Sequence, residues 1–369
     1  MWFHSLLASW KSGLSRSRRP QPRPARRGAR LVLERLEDRT LLSSYTALTA
    51  ADLIADINAA NAAGGANTIM LAAKTHSPYV LTAGNNYADG ATGLPVIAAN
   101  DNLTILGNGD TIERSTASGT VAFRLFDVAA GASLTLQNLK LQNGLAWGAT
   151  GLVAATAAEG GAVYNQGTLD LNGVTVQGNI AQGVTGQVIG FTVIPAGPAA
   201  GGGIYSGGAL TLAGTTVQNN QALGGTGSSL GGDFGEAGGD GLGGGVCVAG
   251  GTATLTNDTF SSNVAQGGQG GAAYSAPGNG GNGFGGALEV SGGTVSLTSS
   301  TVSRNTAQGG ALGTSQIGGL GETHAGEGEG GGLYIASGAT VYLDSFTVKN
   351  TKGNHADLDP NIDGTYILR

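Results

Sequence analysis

The chain has 369 residues, of which 40% are hydrophobic and 11% charged, so it can bury a core of its own. Glycine and proline together make up about a fifth of it, below the share at which composition alone marks a chain as structureless. A single cysteine, Cys247, excludes an intramolecular disulfide, and no run of eighteen apolar residues is present to make a transmembrane helix.

Charge is divided unevenly along the chain. Residues 1–40 hold ten of the eighteen Lys and Arg, and 8 basic against 21 acidic residues follow. A basic tail on an acidic body reads as a targeting segment, and the acidic body argues against a nucleic-acid partner. Residues 1–44 are therefore expected to be a disordered basic targeting segment. Its Arg/Pro-rich stretch is unlike a cleavable secretory signal with a long apolar core. The string Leu33-Glu34-Arg35-Leu36-Glu37-Asp38-Arg39-Thr40-Leu41-Leu42-Ser43 resembles the LEPR-XLL type segment that opens planctomycete surface and extracellular proteins. That resemblance implies export, hence an extracellular, cell-surface or outer-envelope location.

Residues 49–65 predict a capping helix. Thr49 with Asp52 three residues on has capping-box spacing, Leu53, Ile54, Ile57 and Ala60 share a face, and Gly64-Gly65 ends it. Apolar strands are expected at 68–71, 79–82, 103–106, 123–128 and 134–141, forming irregular early rungs within a cap region 45–145.

From residue 160 a repeat governs the chain. Gly-Gly pairs followed by an apolar residue end at Gly161, Gly203, Gly245, Gly286 and Gly332, in steps of about forty-two. A leucine recurs at Leu171, Leu212, Leu255, Leu297 and Leu343. Five residues beyond it stand Val176, Val217, Phe260, Val302 and Val348, and eight beyond stand Asn179, Asn220, Asn263 and Asn305. In the fifth block that eighth place is Thr351, with Asn350 one residue early, so the last rung is expected to be irregular.

Apolar residues alternate with period two, as in Leu169 and Leu171, so each block predicts three short strands with one buried face; in the first block these are 162–165, 168–171 and 174–177. A lone rung orders too many residues for the apolar surface it buries, so rungs must stack. The predicted fold is all-β: a single-stranded right-handed parallel β-helix over 45–369, with five repeats in 160–351. The asparagines are read as a structural ladder, each amide bonding its copy on the next rung from a backbone that tolerates the left-handed conformation.

The pairing of GGA[ILV] with a later [VF]xxN resembles the repeats of the chlamydial polymorphic outer membrane protein family and of pectate-lyase-like β-helix proteins. The resemblance covers 160–351 at motif level and 45–369 at fold level, and implies a surface protein with an adhesive role. That family ends in a membrane β-barrel, whereas fewer than twenty residues follow Thr351, so barrel anchoring is not expected here.

A β-helix polysaccharide lyase or hydrolase needs carboxylates gathered on one outward face with a base nearby. The outward column of the first strand reads Tyr164, Tyr205, Cys247, Glu289 and Tyr334, and that of the second Asp170, Thr211, Thr254, Ser296 and Tyr342. Each holds one carboxylate, so no catalytic residue is assigned. The third column is threonine throughout, Thr175, Thr216, Thr259, Thr301 and Thr347, as suits a solvent-facing strand.

Glycine-rich inserts at about 184–200, 225–243, 268–284 and 310–330 all leave from one corner. They are read as solvated loops that would present any partner surface, for surface glycans or envelope proteins. Two are acidic, with Asp233, Glu236 and Asp240 in one and Glu322, His324, Glu327 and Glu329 in the other; no cofactor is expected, calcium being the only one considered for them. His4, His76 and His355 have no ligand spacing. The expectation is a structural or adhesion-type surface protein without catalysis. The alternative is a carbohydrate-active enzyme whose site gathers at least three of Asp89, Asp101, Asp110, Glu113, Arg114, Arg124 and Asp127 in one groove.

Overall fold

The structure, a computed structural model, describes residues 43–73, 78–149, 151, 155–189, 192–229, 234–317 and 323–369. Nearly all of the basic N-terminal segment, with its LEPR-XLL type string and His4, lies outside the described residues, as do His76, Asp233 and Glu322.

The body is a right-handed parallel β-helix. Its longest sheet runs through ten strands from Ser43–Ala47 to Ile367–Leu368, a second through eight from Tyr79–Leu81 to Thr351–Lys352, and a third through seven from Phe126–Val128 to Ile362–Asp363. Neighbouring strands are parallel and in register, so like residues stack. Leu136, Leu171, Leu212, Leu255, Leu297 and Leu343 form one column, and Leu141, Val176, Val217, Phe260 and Val302 another. All of these side chains are buried. Alternation along each strand thus becomes continuous apolar columns along the axis, each burying roughly 1.5–3 kcal/mol per side chain.

The rung is richer than three strands. A fourth follows each ladder asparagine, from Ile180–Gln182 to Thr306–Gln308, and a two-residue fifth precedes each glycine pair, from Ala158–Glu159 to Gly328–Glu329. They escape a period-two search because their inward residues are alanine or glycine: Ala181, Ala222, Ala265 and Ala307 are all buried. The early rungs also hold strands at Thr111–Arg114 and Leu145–Trp147 that the apolar pattern missed. The expected strand 134–141 is two, Ser133–Gln137 and Lys140–Gln142, broken at Asn138 with φ 50°.

The glycine register differs by one residue in three blocks. The stacked column is Gly161, Gly202, Gly244, Gly286 and Gly331, because a Cβ on each of the first four would lie 2.2–2.5 Å from the carbonyl oxygen of the next. Blocks reading Gly-Gly-Gly carry a third glycine where the others have Ala162 or Ala287, which shifts a count made from the second glycine. The residue ahead of each stacked glycine, from Gly160 to Gly330, has φ near 60° and turns the chain into the next strand.

In the fifth block a short helix α2 (Ser345–Asn350), N-capped by the side chain of Asp344, replaces the third strand's start. Val348 sits in this helix, partly buried against the core, and is not in the valine column. Thr351 takes that column place opposite Val302. Thr347 is likewise not an outward strand residue but buried within the helix.

At the other end α1 (Ala50–Ala63) caps the coil. Thr49 is its N-cap, accepting from the Asp52 N–H at 3.2 Å, Gly64 ends it at φ 63°, and Leu53, Ile57 and Ala60 are buried.

Candidate functional site

The asparagine ladder is continuous. Asn179 donates both its backbone N–H and its Nδ2 to Oδ1 of Asn220, at 3.0 and 2.9 Å, and Asn220 does the same to Asn263 at 3.0 Å each. Asn263 repeats it on Asn305, and Asn305 on Asn354, which takes the place expected of Thr351 after α2 lengthens the turn. Each Nδ2 also reaches a carbonyl one rung back, such as Val176 O from Asn220 at 3.0 Å. The ladder residues themselves do not have positive φ. The left-handed residue is the one before, Gly178, Asn219, Ser262, Arg304 and Gly353, which turns each following amide inward. These side chains are spent on the fold.

A second ladder had no signal in the repeat, because its residue types vary. The Thr215 N–H donates to Asp258 Oδ1 at 2.7 Å, the Asp258 N–H to Ser300 Oγ at 3.0 Å, and the Ser300 N–H to Thr347 Oγ1 at 3.1 Å. Burial raises the Asp258 carboxyl to about 7, against the pull of the Thr215 and Thr256 N–H groups.

The first strand's outward column is a polar spine, buried at Asp127, Cys247 and Glu289 and half-buried elsewhere. Its register is Asp127, Tyr164, Tyr205, Cys247, Glu289, Tyr334 and Asp363. Tyr164 and Tyr205 stack on one another with centroids 5.4 Å apart. The Cys247 thiol donates to Glu289 Oε2 at 3.0 Å, and Ser291 Oγ donates to the same oxygen at 3.3 Å. Both Cys247 and Glu289 are buried. Burial lifts Glu289 to about 7 despite those donors, and burial with the nearby carboxyl lifts the thiol.

Of the seven charged residues in the early rungs, three share one neighbourhood. The Arg124 guanidinium lies 4.8 Å from the Tyr164 ring, feels Asp127, Glu159 and Asp89, and donates from Nη1 to the Asp89 carbonyl at 2.6 Å. Asp127 accepts from Asn86 Nδ2 at 3.1 Å, and burial raises it to about 6. Arg124 and Asp127 are buried beneath the segment that carries Asn86 and Gly90, where a Cβ on Gly90 would meet the guanidinium at 3.2 Å. The other four disperse: Asp101 holds Asn67, Asp110 accepts from the Ala73 N–H at 3.4 Å, Glu113 pairs with Gln142, and Arg114 donates to the Asn143 carbonyl.

The described residues of the inserts are joined to one another by backbone hydrogen bonds. A zigzag of backbone hydrogen bonds of 2.7–2.9 Å crosses all four, from the Gly225 N–H to Gly197 O, then Gly239 to Gly225, Gly268 to Gly239, Gly281 to Gly268, Gly310 to Gly281 and Gly326 to Gly310. Outgoing and returning arms therefore interleave. Three residues further out a second zigzag links Ser228, Glu236, Gly271, Gly278 and Gly313. A contact every third residue is the polyproline II period, in which only glycine fits a crowded axis. Cβ atoms on Gly268, Gly310 and Gly326 would indeed lie 1.8–1.9 Å from a neighbour's carbonyl oxygen. The signal was present in Gly267-Gly268-Gln269-Gly270-Gly271, whose glycines recur by three, but it is invisible to a search for apolar periodicity.

The acidic insert residues serve this slab in part, since Asp240 Oδ1 accepts from the Asn282 N–H at 2.7 Å. Among the described residues no group of three or more His, Cys, Asp or Glu is placed to hold a metal ion, and no helix is long and apolar enough to cross a membrane. Comparison with known proteins finds no matching family model, no matching curated protein and no matching solved structure.

Proposed function

We propose that this chain is a secreted or cell-surface structural protein of the adhesion type, in which a rigid coil displays the glycine slab to a partner outside the cell. The observation that carries the reading is the slab itself. Four inserts leaving one corner are locked together by backbone hydrogen bonds, and Phe234, Tyr274 and Ile317 stand exposed on their outer part. Exposed aromatics on a backbone that has already lost its freedom bind at low entropic cost. The resemblance of the paired GGA[ILV] and [VF]xxN motifs to the chlamydial polymorphic outer membrane protein repeats, and of residues 33–43 to the LEPR-XLL type segment, supports the surface location. Partners under this reading are surface glycans or envelope proteins, and the acidic body disfavours nucleic acid.

The carbohydrate-active enzyme is the second reading, favoured by the meeting of Asp89, Arg124 and Asp127. Against it, the Asn86 side chain and the Asp89 carbonyl already hold Asp127 and Arg124, and both charged side chains are buried away from any sugar at the surface. Two measurements test the proposal. Protease shaving of intact cells should remove the full chain if it is displayed, and retention inside unbroken cells would refute display. Incubation with uronans should give no rise in unsaturated-product absorbance, and turnover would favour the enzyme.

A further inference from the structure

The outer part of the slab holds a cavity of about 320 Å³ formed by three successive inserts. Ser229 comes from the second insert, Ala272 to Tyr274 from the third, and Thr314 to Gln316 from the fourth. Parallel pairing of Ala273 with Ser315 fixes two of these walls in register. Ser315 Oγ donates to the Tyr274 carbonyl at 3.1 Å, and the Gln316 and Ile317 N–H groups donate to the same oxygen at 3.2 and 3.3 Å. The Tyr274 backbone is thereby pinned, while the residue as a whole is 50% exposed.

The chemistry of the lining selects a ligand class. Among the described residues it is lined by Ser229, Thr314, Ser315, Gln316 and Tyr274 beside two alanines, none of them charged. An uncharged lining gives nothing to neutralise a carboxylate, sulfate or phosphate, and an acidic body repels polyanions. A purely apolar ligand would leave the Thr314 hydroxyl and the Gln316 amide without a partner from the ligand. A ring with hydroxyls at its edge and C–H groups on its face meets both demands, stacking on Tyr274 while its hydroxyls bond to Thr314, Ser315 and Gln316. The volume lies at the small end of the range of about 300–1,000 Å³ for small-molecule sites, room for one or two such rings.

We infer that this cavity binds a neutral pyranose glycan, one or two residues of a longer uncharged chain, with Tyr274 as the stacking platform. The inference rests on the surface-display reading and names its partner class.

The test is calorimetric titration of the full chain with gluco-, manno- and xylo-oligosaccharides, with polygalacturonate as the charged comparator. At least one neutral oligosaccharide should bind. Tyr274→Ala should weaken it about tenfold or more, Tyr274→Phe by less than about threefold, and Gln316→Ala to an intermediate degree. Phe346→Ala, an exposed aromatic on α2, should change nothing. Amide exchange at Gly268 and Gly310 reports whether each variant keeps its slab, so a lost site is told apart from a lost fold. Binding that survives Tyr274→Ala and Gln316→Ala with the slab intact, binding of polygalacturonate alone, or no glycan binding at all would each overturn the inference. Cell shaving reads out separately, so a displayed protein that binds no glycan sinks the site and leaves the display reading standing.

Discussion

Leu255 and Gly268 stand thirteen residues apart in one repeat and pack by different rules. Leu255 lies between Leu212 and Leu297 in a column whose cohesion is apolar area removed from water. Gly268 lies between Gly239 and Gly281 in a column made only of peptide groups, and it is glycine because any side chain would strike Gly225 O at 1.9 Å. The coil thus tolerates changes of side chain that keep volume, whereas the inner zigzag of the slab, glycine at every contact from Gly225 to Gly326, has no room for one. One forty-two-residue repeat encodes two stacks along a common direction, one read with period two and the other with period three.

Breaking the coil should cost most at its polar ladder. Asn220→Ala strips partners from the Asn179 N–H and Nδ2 and from the Val176 carbonyl, all buried, so a loss of roughly 3–6 kcal/mol is expected in urea unfolding. Leu255→Ala leaves a cavity in an otherwise filled column and should cost about 2–5 kcal/mol by the same measurement.

The buried carboxyl of Glu289 predicts a pH dependence. Glu289 keeps its proton to about 7 in the folded chain but loses it near 4.5 when unfolded. Stability should therefore be greatest below pH 4.5, fall as pH rises to about 7, and level off above. Glu289 alone accounts for on the order of 3 kcal/mol of that fall, and Asp258, raised to about 7 by burial, adds with the same sign. Urea titrations at pH 4.5 and pH 8 should differ less in Glu289→Gln than in the parent chain; an undiminished difference would show that Glu289 is not the source.

Breaking the slab should be the mildest change globally and the sharpest locally. Gly268→Ala forces a backbone shift worth about 1–3 kcal/mol. Exchange of the Gly268, Gly281 and Gly310 amides should speed up while the Leu255 amide keeps its protection. If the coil amides loosen equally, coil and slab are one cooperative unit and the contrast between them fails.

What the sequence discloses follows the same division. The leucine and asparagine columns were legible because stacking demands the same residue type at one place in every rung. Val348 misled because α2 adds residues after Leu343 without disturbing the motif ahead of it; the irregular last rung, with Thr351 in the eighth place, was legible, and Asn354 restores the ladder three residues beyond it. The fourth and fifth strands hid behind alanine and glycine. The slab hid because backbone contacts leave no apolar trace. The burial of Glu289 was not legible at all, since a residue that points away from the core reads as exposed unless the layer covering it is known.

The register of the coil is the claim on which everything else depends, and cross-linking reaches it most directly. In a Cys247→Ser background, Thr211→Cys with Thr254→Cys places two outward thiols on paired positions of adjacent rungs, about 4.8 Å apart. Thr211→Cys with Thr256→Cys moves the second thiol two residues along, to about 8 Å. A short bifunctional thiol reagent should link the first pair at least about tenfold faster than the second; equal rates, or a faster second pair, would contradict the stacked register.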